Sequence, residues 1–599
     1  KILFVSPERL FSASFQRLWA KPGLMPPISI AVIDEAHCIS EWSHNFRSSY
    51  MRLNQVLRGS NDISLNAKCV LALTATATPP VVNHIATSLQ LPADGILIES
   101  WKRSNLILNV EQDTAKHQAL NKLLKSNTFV KPKKKSSTNR KSLSNNRFNG
   151  FRESQTLLSI IVYVFRQYDA NNVAQFLKQQ GFSAAAYHAG MSWNDREKVQ
   201  SAFISGKTKI MVATVAFGMG LDKADVRGVI HFHIPKSIES YVQEVGRAGR
   251  DGKESHCYLL LNDTDFIKNH SLAHADSIDR IQVIKLLKLI FERYTENNNG
   301  KNNRSLNTKR RMVSIVQNDI SKQIDMKTNV METLLCHLTL PPHNLLELLP
   351  NACITCVVTC KFSIEKIKKD SSNCRKIFDL GKLKTTVVDQ RNGYCKGNSV
   401  YEINVPDIAY TTNIPEIEIR RVLDDLRYRN FITTSWKHLS FRCIPRENVE
   451  LSPDAYDTLC DFLWKKTSSF EKSLRTKAET MYVVAKNNLS NDIISKYFDG
   501  DAKELLNLFR ENEESVPFDE PKVPLLRADV HVLMRDQRLK QKKVLATPRA
   551  ITRIFHGIAS PAFPYSDFKD SVFWNRHLSI EFNVLLGHVK DIVTKLKSV

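Results

Sequence analysis

Residues 159–214 read SIIVYVFRQYDANNVAQFLKQQGFSAAAYHAGMSWNDREKVQSAFISGKTKIMVAT. Three short apolar runs, SIIVYVF (159–165), SAAAYH (183–188) and TKIMVAT (208–214), alternate with amphipathic stretches at 170–180 and 193–205. Runs of this length read as buried strands, and the spacing between them reads as helix. Strand–helix–strand order predicts a parallel sheet covered by helices. The pattern extends both ways, through KILFV (1–5), SIAVIDE (29–35) and CVLALTAT (69–76) upstream and GVIHFHI (228–234) downstream. These are too many strands for one sheet and a linker, so two α/β lobes are expected, 1–105 and 106–262.

A chain of 599 residues exceeds what one core supports. Residues 126–155 are rich in Ser, Asn and Lys and lack periodicity, which reads as a disordered basic insertion in the second lobe. A second polar run, 295–311, follows a helical stretch at 278–294. Beyond it, 263–450 mixes helices and strands, and 451–599 reads as mainly helical. No run of 18 apolar residues occurs, so no membrane-spanning helix is expected. Lys and Arg outnumber Asp and Glu by 85 to 61, a net charge of +24, which favours a polyanionic partner, nucleic acid. The 11 cysteines are scattered, as in a reducing compartment. Lys1 stands within a strand-like run, so an upstream start is expected and no targeting signal is readable.

Three segments carry chemistry. Asp34-Glu35-Ala36-His37 follows the apolar run SIAVI. There, Asp34 suits a magnesium ion held through its hydration shell, Glu35 suits orienting and deprotonating a water, and His37 suits a relay to a neighbouring loop. Taken alone, the tetrapeptide also suits a helix start. Gln243-Glu244-Val245-Gly246-Arg247-Ala248-Gly249-Arg250 sets two arginines three apart, on one face of a helical turn, among small residues that allow close approach. Guanidinium groups there would stabilise charge developing on a γ-phosphate. Between them, a Gly218-Met219-Gly220 turn leads to Asp222 and suits backbone contact with phosphate. The hydroxyls of Leu73-Thr74-Ala75-Thr76-Ala77-Thr78 follow another apolar strand and could couple two lobes, although alone the segment reads as a threonine-rich strand end.

Together, FVSPERL (4–10), VIDEAHCISEWSHNFRSSY (32–50), LALTATAT (71–78), YHAGM (187–191), VATVAFGMGLDKADVR (212–227) and SYVQEVGRAGRDG (240–252) resemble the RecQ family of superfamily 2 helicases over nearly all of 1–262. The resemblance implies two RecA-like lobes, the first incomplete, and an α/β fold followed by α+β and helical regions. It implies ATP and Mg²⁺ as cofactors and single-stranded and forked DNA as partners. Asp34, Glu35, His37, Gln243, Arg247 and Arg250 would be catalytic. Asp34, Gly220, Asp222, Arg247 and Arg250 would hold the nucleotide. It also implies 3′→5′ polarity and an aromatic DNA-sensing loop, here Trp42, His44, Phe46 and Arg47, with Thr214 gripping the strand. Aromatic faces stack on bases without regard to sequence, and Arg holds phosphate. Glu41 departs from the Gln usual in the family and weakens the expected coupling. METLLCHLTLPPHNLLELLP (331–350), Arg553–Ile558 (RIFHGI), SPAFP (560–564) and FWNRHL (573–578) resemble the Rothmund–Thomson-type branch.

Two further expectations concern metal and nucleotide. Cys353, Cys356, Cys360 and Cys374 supply enough sulfur for zinc, but the spacing differs from the family's, so buried thiols are favoured over a metal site. No G-x-x-x-x-G-K-[ST] loop occurs. Gly206-Lys207-Thr208 has Ser201 where the first glycine belongs and leads into a strand rather than a helix. N-terminal truncation is the favoured explanation of the missing loop. The alternative is an ATP-independent nucleic-acid-binding or strand-annealing protein. An RNA helicase is disfavoured by the aromatic loop and the GRAGRDG ending. KPKKK (131–135) reads equally as a nuclear import signal or a solvated linker.

Overall fold

The computed structural model describes residues 1–597 except 20–25, 41–46, 59–64, 100–101, 114, 133–154, 218–222, 297–311, 388–397, 447–451, 488, 501–517, 543 and 545. Its centre is a six-stranded parallel sheet. The strands are β3 (Leu106–Gln112), β6 (Ser159–Tyr163), β7 (Ala184–Tyr187), β8 (Ile210–Ala213), β9 (Val226–His231) and β10 (Ser255–Leu261). Their order is β3-β10-β9-β6-β8-β7, with every neighbouring pair parallel. Successive side chains on a strand face opposite ways. On β6, Ile161 and Tyr163 therefore enter one core while Ile160 and Val162 enter the other. On β8, Met211 and Ala213 divide from Ile210 and Val212 in the same way. Both faces are dry, which is why these strands read as continuous apolar runs. Gly228 in β9 is fixed by packing: a Cβ there would lie 2.5 Å from the ring of buried Phe129.

The first lobe presents β1 (Ile30–Ile33) paired in parallel with β2 (Cys69–Ala72), followed by the helix Pro79–Leu89. One face of this pair carries Ile33 into a core with Val81 and Ile85, while Ile30, Val32 and Leu71 on the other remain exposed. The expected strand at KILFV does not form. No described strand pairs with it, and Ile2, Leu3 and Phe4 are exposed. Without a ladder neighbour, an apolar run has no partners for its backbone groups.

The expected insertion at 126–155 is narrower than its composition indicated. Strands β4 (Val130–Pro132) and β5 (Gln155–Leu157) pair antiparallel at its ends, and Phe129 is buried beside them. Its interior, including most of KPKKK, lies outside the described residues.

Downstream, β11 (Val313–Val316), β12 (Leu346–Cys360), β13 (Lys382–Val387), β14 (Asn398–Asn404) and β15 (Ile432–Pro445) form an antiparallel sheet in the order β11-β15-β12-β14-β13. Helices flank it, giving the α+β region the sequence indicated. Cys356 and Cys360 point from β12 into the same apolar core as Cys374, whereas Cys353 has the opposite pleat parity. Burial pushes the Cys356 thiol up to about 12 and Cys360 to about 11, so both are held protonated in that core.

The 34-residue helix Pro453–Lys486 starts at a Ser452 cap followed by proline. Its packing crosses the expected boundary at 450/451. Leu459 and Leu463 join the core around Leu286 and Leu334, while Met481, Tyr482 and Val484 join the core of the six-stranded sheet. Lys477 adds a 2.6 Å ion pair to buried Glu239. Helices Val523–Arg535, Pro548–Phe555 and Phe582–Lys597 close a C-terminal core around Phe555 and Phe568. No described helix is long and apolar enough to cross a membrane.

Candidate nucleotide cleft and DNA-facing loop

The chain turns immediately after β1. Glu35 takes a left-handed backbone, φ 51°, before a tight turn over Ala36–Ile39. A carboxylate residue held in that region stores strain that its surroundings must offset. Two hydrogen bonds do so. Ala36 N–H donates to the Leu73 carbonyl at 2.8 Å, and Leu73 N–H donates to the Ile33 carbonyl at 2.9 Å. Glu35 N–H also donates to Asp34 Oδ1 at 2.9 Å, orienting the exposed Asp34. Buried His37 places Nδ1 2.9 Å from Thr74 Oγ1 and 3.3 Å from Glu35 Oε2. The acidic pair is thus tied through one imidazole to the threonine-rich end of β2.

The second lobe supplies the opposite wall. Gln243, on the helix Ile238–Val245, donates from Nε2 to Glu35 Oε1 at 3.4 Å. Arg247 lies close enough to lower the Glu35 carboxyl by its charge, although burial and the Asp34 charge outweigh it and leave that carboxyl above its ordinary value. The buried Tyr163 hydroxyl donates to the Phe217 carbonyl at 2.9 Å and faces the Arg247 guanidinium.

The arginine pair departs from expectation. The helix ends at Val245, and Gly249 turns the chain with φ +56°. Arg247 and Arg250 therefore do not share a helix face. Arg247 is buried towards Glu35, and Arg250 is exposed.

What holds this turn was missed in the sequence. Arg103 donates to the carbonyls of Gly246, Ala248 and Gly249 at 3.2, 3.2 and 2.7 Å. Asn105 Nδ2 donates to the carbonyls of Gly249 and Lys253 at 2.8 and 3.0 Å. Arg227 donates to Ser255 Oγ at 2.9 Å and pairs with Asp251. The partners lie more than 140 positions from Arg103 and Asn105, so no local spacing marks them. Gly249 fits this clamp because it has no side chain: a Cβ would lie 2.5 Å from Asn105 Nδ2 and 2.8 Å from the Lys253 carbonyl oxygen. Gly249→Ala is expected to cost about 1–3 kcal/mol from backbone strain alone. Urea unfolding of the 599-residue chain checks this, and an unchanged midpoint would contradict the clamp.

Other expected residues divide into described and undescribed. Trp42, His44, Phe46 and Glu41 lie outside the described residues, as do Gly220 and Asp222. Arg47 is described. Its N–H donates to the Cys38 carbonyl at 3.0 Å, and its half-exposed guanidinium lies 3.9 Å from Glu8. Glu8 and Arg47 open onto a 330 Å³ cavity that Glu332, Lys466 and Glu471 also line. Thr214 sits buried at the end of β8, its N–H on the Tyr187 carbonyl at 3.3 Å. Gly206-Lys207-Thr208 is a turn with Gly206 at φ +75°, between the helix Trp193–Ile204 and β8, as its context indicated.

Comparison with known proteins agrees with this architecture. The helicase conserved C-terminal domain matches residues 148–252, which include the arginine turn. ATP-dependent DNA helicase Q-like 5 of Arabidopsis thaliana is 33% identical over 98% of the chain and 58% of its own length. ATP-dependent DNA helicase Q4 of Homo sapiens is 28% identical over 98% of the chain and 52% of its own length. ATP-dependent DNA helicase RecQ of Bacillus subtilis is 34% identical over 48% of the chain and 43% of its own length. The chain spans little more than half the length of the first two relatives. Their matches run through regions that the RecQ match, at 48% of the chain, leaves uncovered. With its second α/β lobe matching a helicase domain and 98% of its length aligned to each of two named DNA helicases, the chain is similar to RecQ-like helicases along nearly its whole length.

Proposed function

We propose that the chain works in an ATP-dependent 3′→5′ DNA helicase of the RecQ type, acting on single-stranded and forked DNA during replication, recombination and repair in the nucleus. One observation carries the reading: Gln243 of the second lobe bonds to Glu35 of the first and the Arg247 charge acts on the same carboxylate, so the acidic pair and the arginine turn face one cleft. ATP with Mg²⁺ supplies the phosphoanhydride whose cleavage drives such a motor. The donor set fits that pair, with one exposed carboxylate at a strand end, one half-buried carboxylate beside it and a buried guanidinium opposite.

Each residue then has a role. Asp34 holds the metal's hydration shell. Glu35 accepts a proton from water. His37 passes the state of Glu35 to Thr74. Gln243 positions Glu35 across the cleft, and Arg247 and Arg250 offset negative charge on the phosphates. Gly220 and Asp222 add contacts to the nucleotide. Trp42, His44, Phe46, Arg47 and Thr214 contact one DNA strand, and the surplus of 24 positive charges adds phosphate contacts that salt weakens.

A second reading, ATP-independent DNA binding or annealing, rests on the net charge of +24, which attracts a nucleic-acid backbone whether or not a nucleotide is hydrolysed. A fluorescent strand-separation assay tells the two apart. The chain, joined to a phosphate-loop segment, is expected to separate duplexes bearing a 3′ tail when ATP and Mg²⁺ are present, and not those bearing a 5′ tail. Annealing without ATP-dependent separation would establish the second reading instead.

A further inference from the structure

Away from the cleft, two buried histidines share an arrangement that the motor does not use. His270 lies in the helix Asp263–Leu272, directly after the six-stranded sheet, and His274 lies in the turn that follows. They are 1% and 0% exposed. Each ring is held on one nitrogen by a carboxylate of the long helix Pro453–Lys486. His270 Nε2 lies 3.1 Å from Glu479 Oε1, and His274 Nδ1 pairs with Glu471. The other nitrogen of each ring, His270 Nδ1 and His274 Nε2, is buried without a hydrogen-bond partner among the described residues. Burying an acceptor unsatisfied costs free energy, so two at one place call for a ligand. Glu581 completes the group. One ring nitrogen each of His270 and His274 and one carboxylate oxygen of Glu581 lie within 4.8 Å of one another.

We propose that His270, His274 and Glu581 bind one divalent transition-metal ion, zinc by donor type. Two imidazoles and one carboxylate form a known zinc donor set, with a fourth position left for water. The surroundings fit as well as the ligands. Metal-bound histidines almost always place their second nitrogen on a carboxylate, which fixes ring orientation and raises basicity. Glu479 and Glu471 stand in those places. Stacking also orients His274, whose ring lies parallel to Phe582 at 4.0 Å.

Glu581 has other duties. Its Oε2 accepts from the N–H groups of Asn583 and Val584 at 2.7 and 2.9 Å. Its Oε1 accepts from Asn583 Nδ2 at 3.1 Å and lies 3.7 Å from Arg475. It thereby caps the helix Phe582–Lys597, and metal takes its remaining lone pairs. His556 stands nearby, with Nδ1 2.9 Å from Ser271 Oγ and Nε2 without a partner among the described residues. It is not within the 4.8 Å group and is assigned no bond to the metal. Such an ion would pin the C-terminal helix to the segment leaving the second lobe, two places separated by about 300 residues of chain. The four cysteines considered in the sequence play no part in it.

The test uses the untagged 599-residue chain, stripped with chelator and titrated with Zn²⁺ or Co²⁺. About one equivalent is expected to remain through dialysis, and Co²⁺ is expected to give visible absorption bands of a nitrogen–oxygen site. The double variant His270→Gln, His274→Gln should lose both signals. Glu479→Gln should weaken affinity about 10–100-fold, as loss of a supporting carboxylate does. Cys356→Ser should change neither. Failure of the wild-type chain to retain metal or develop the Co²⁺ spectrum overturns the site, whatever the variants do. So does full retention by a folded double variant, or loss of the signal in Cys356→Ser.

Discussion

Arg247→Ala is expected to lower DNA-stimulated ATP turnover by about 10³–10⁵-fold, the range for removing an arginine that stabilises a transferring phosphoryl group. The measurement needs a protein that joins this chain to a phosphate-loop segment. Arg247 is buried, faces Glu35 across the cleft and stands against the Tyr163 hydroxyl. Arg250 is exposed at the turn, so Arg250→Ala should cost less. Lysine does not replace Arg247, because a point charge on a flexible stem lacks the planar fork. Arg247→Lys should recover little of the turnover. Nucleotide affinity should change far less than turnover if the guanidinium acts mainly on developing charge. Equal losses from Arg247→Ala and Arg250→Ala would show that burial does not separate their roles.

The same turn shows what the sequence could and could not convey. The alternation at 159–214 is legible because strands buried on both faces must be apolar at every position, and β6 and β8 divide their side chains between two cores accordingly. The placement of the acidic pair is legible because the apolar run SIAVI stops directly before it, and Asp34 and Glu35 do follow the end of β1. The helical reading of Arg247 and Arg250 was not correct. Spacing of three suits a helix, but Gly246 ends it and Gly249 reverses the backbone, a choice made by contacts with Asn105 and Lys253. Arg103 and Asn105 gave no signal of their own, since their roles exist only once a distant turn is folded against them. KILFV failed for the reverse reason: its local pattern is that of a strand, but pairing is a property of neighbours. The histidine–carboxylate group joins residues from positions 270 to 581, and only folding brings them together.

Glu35→Gln separates the chemistry of the acidic pair from its cost. In the protein carrying a phosphate loop, turnover should fall about 10²–10⁴-fold, the usual contribution of a positioned base, with nucleotide binding retained. Stability should move the other way. Burial, and after it the Asp34 charge, hold the Glu35 carboxyl above its ordinary value, against the opposing pull of Arg247 and Gln243. A carboxyl raised on folding binds its proton more tightly in the native state, so ionising it opposes folding. That penalty is absent below the unfolded pKa, where both states are protonated. It grows as pH rises through the carboxylate range and is complete above the folded pKa. Glutamine carries no such penalty and keeps the shape that Gln243 and His37 contact. The 599-residue Glu35→Gln chain should therefore unfold at a higher urea concentration than the parent at pH 7, with the gap closing by about pH 4, near the ordinary Glu value. A variant less stable at pH 7, or a gap that persists in acid, would mean that the left-handed turn at Glu35 depends on the ionised carboxylate, and that the acidic pair is structural before it is catalytic.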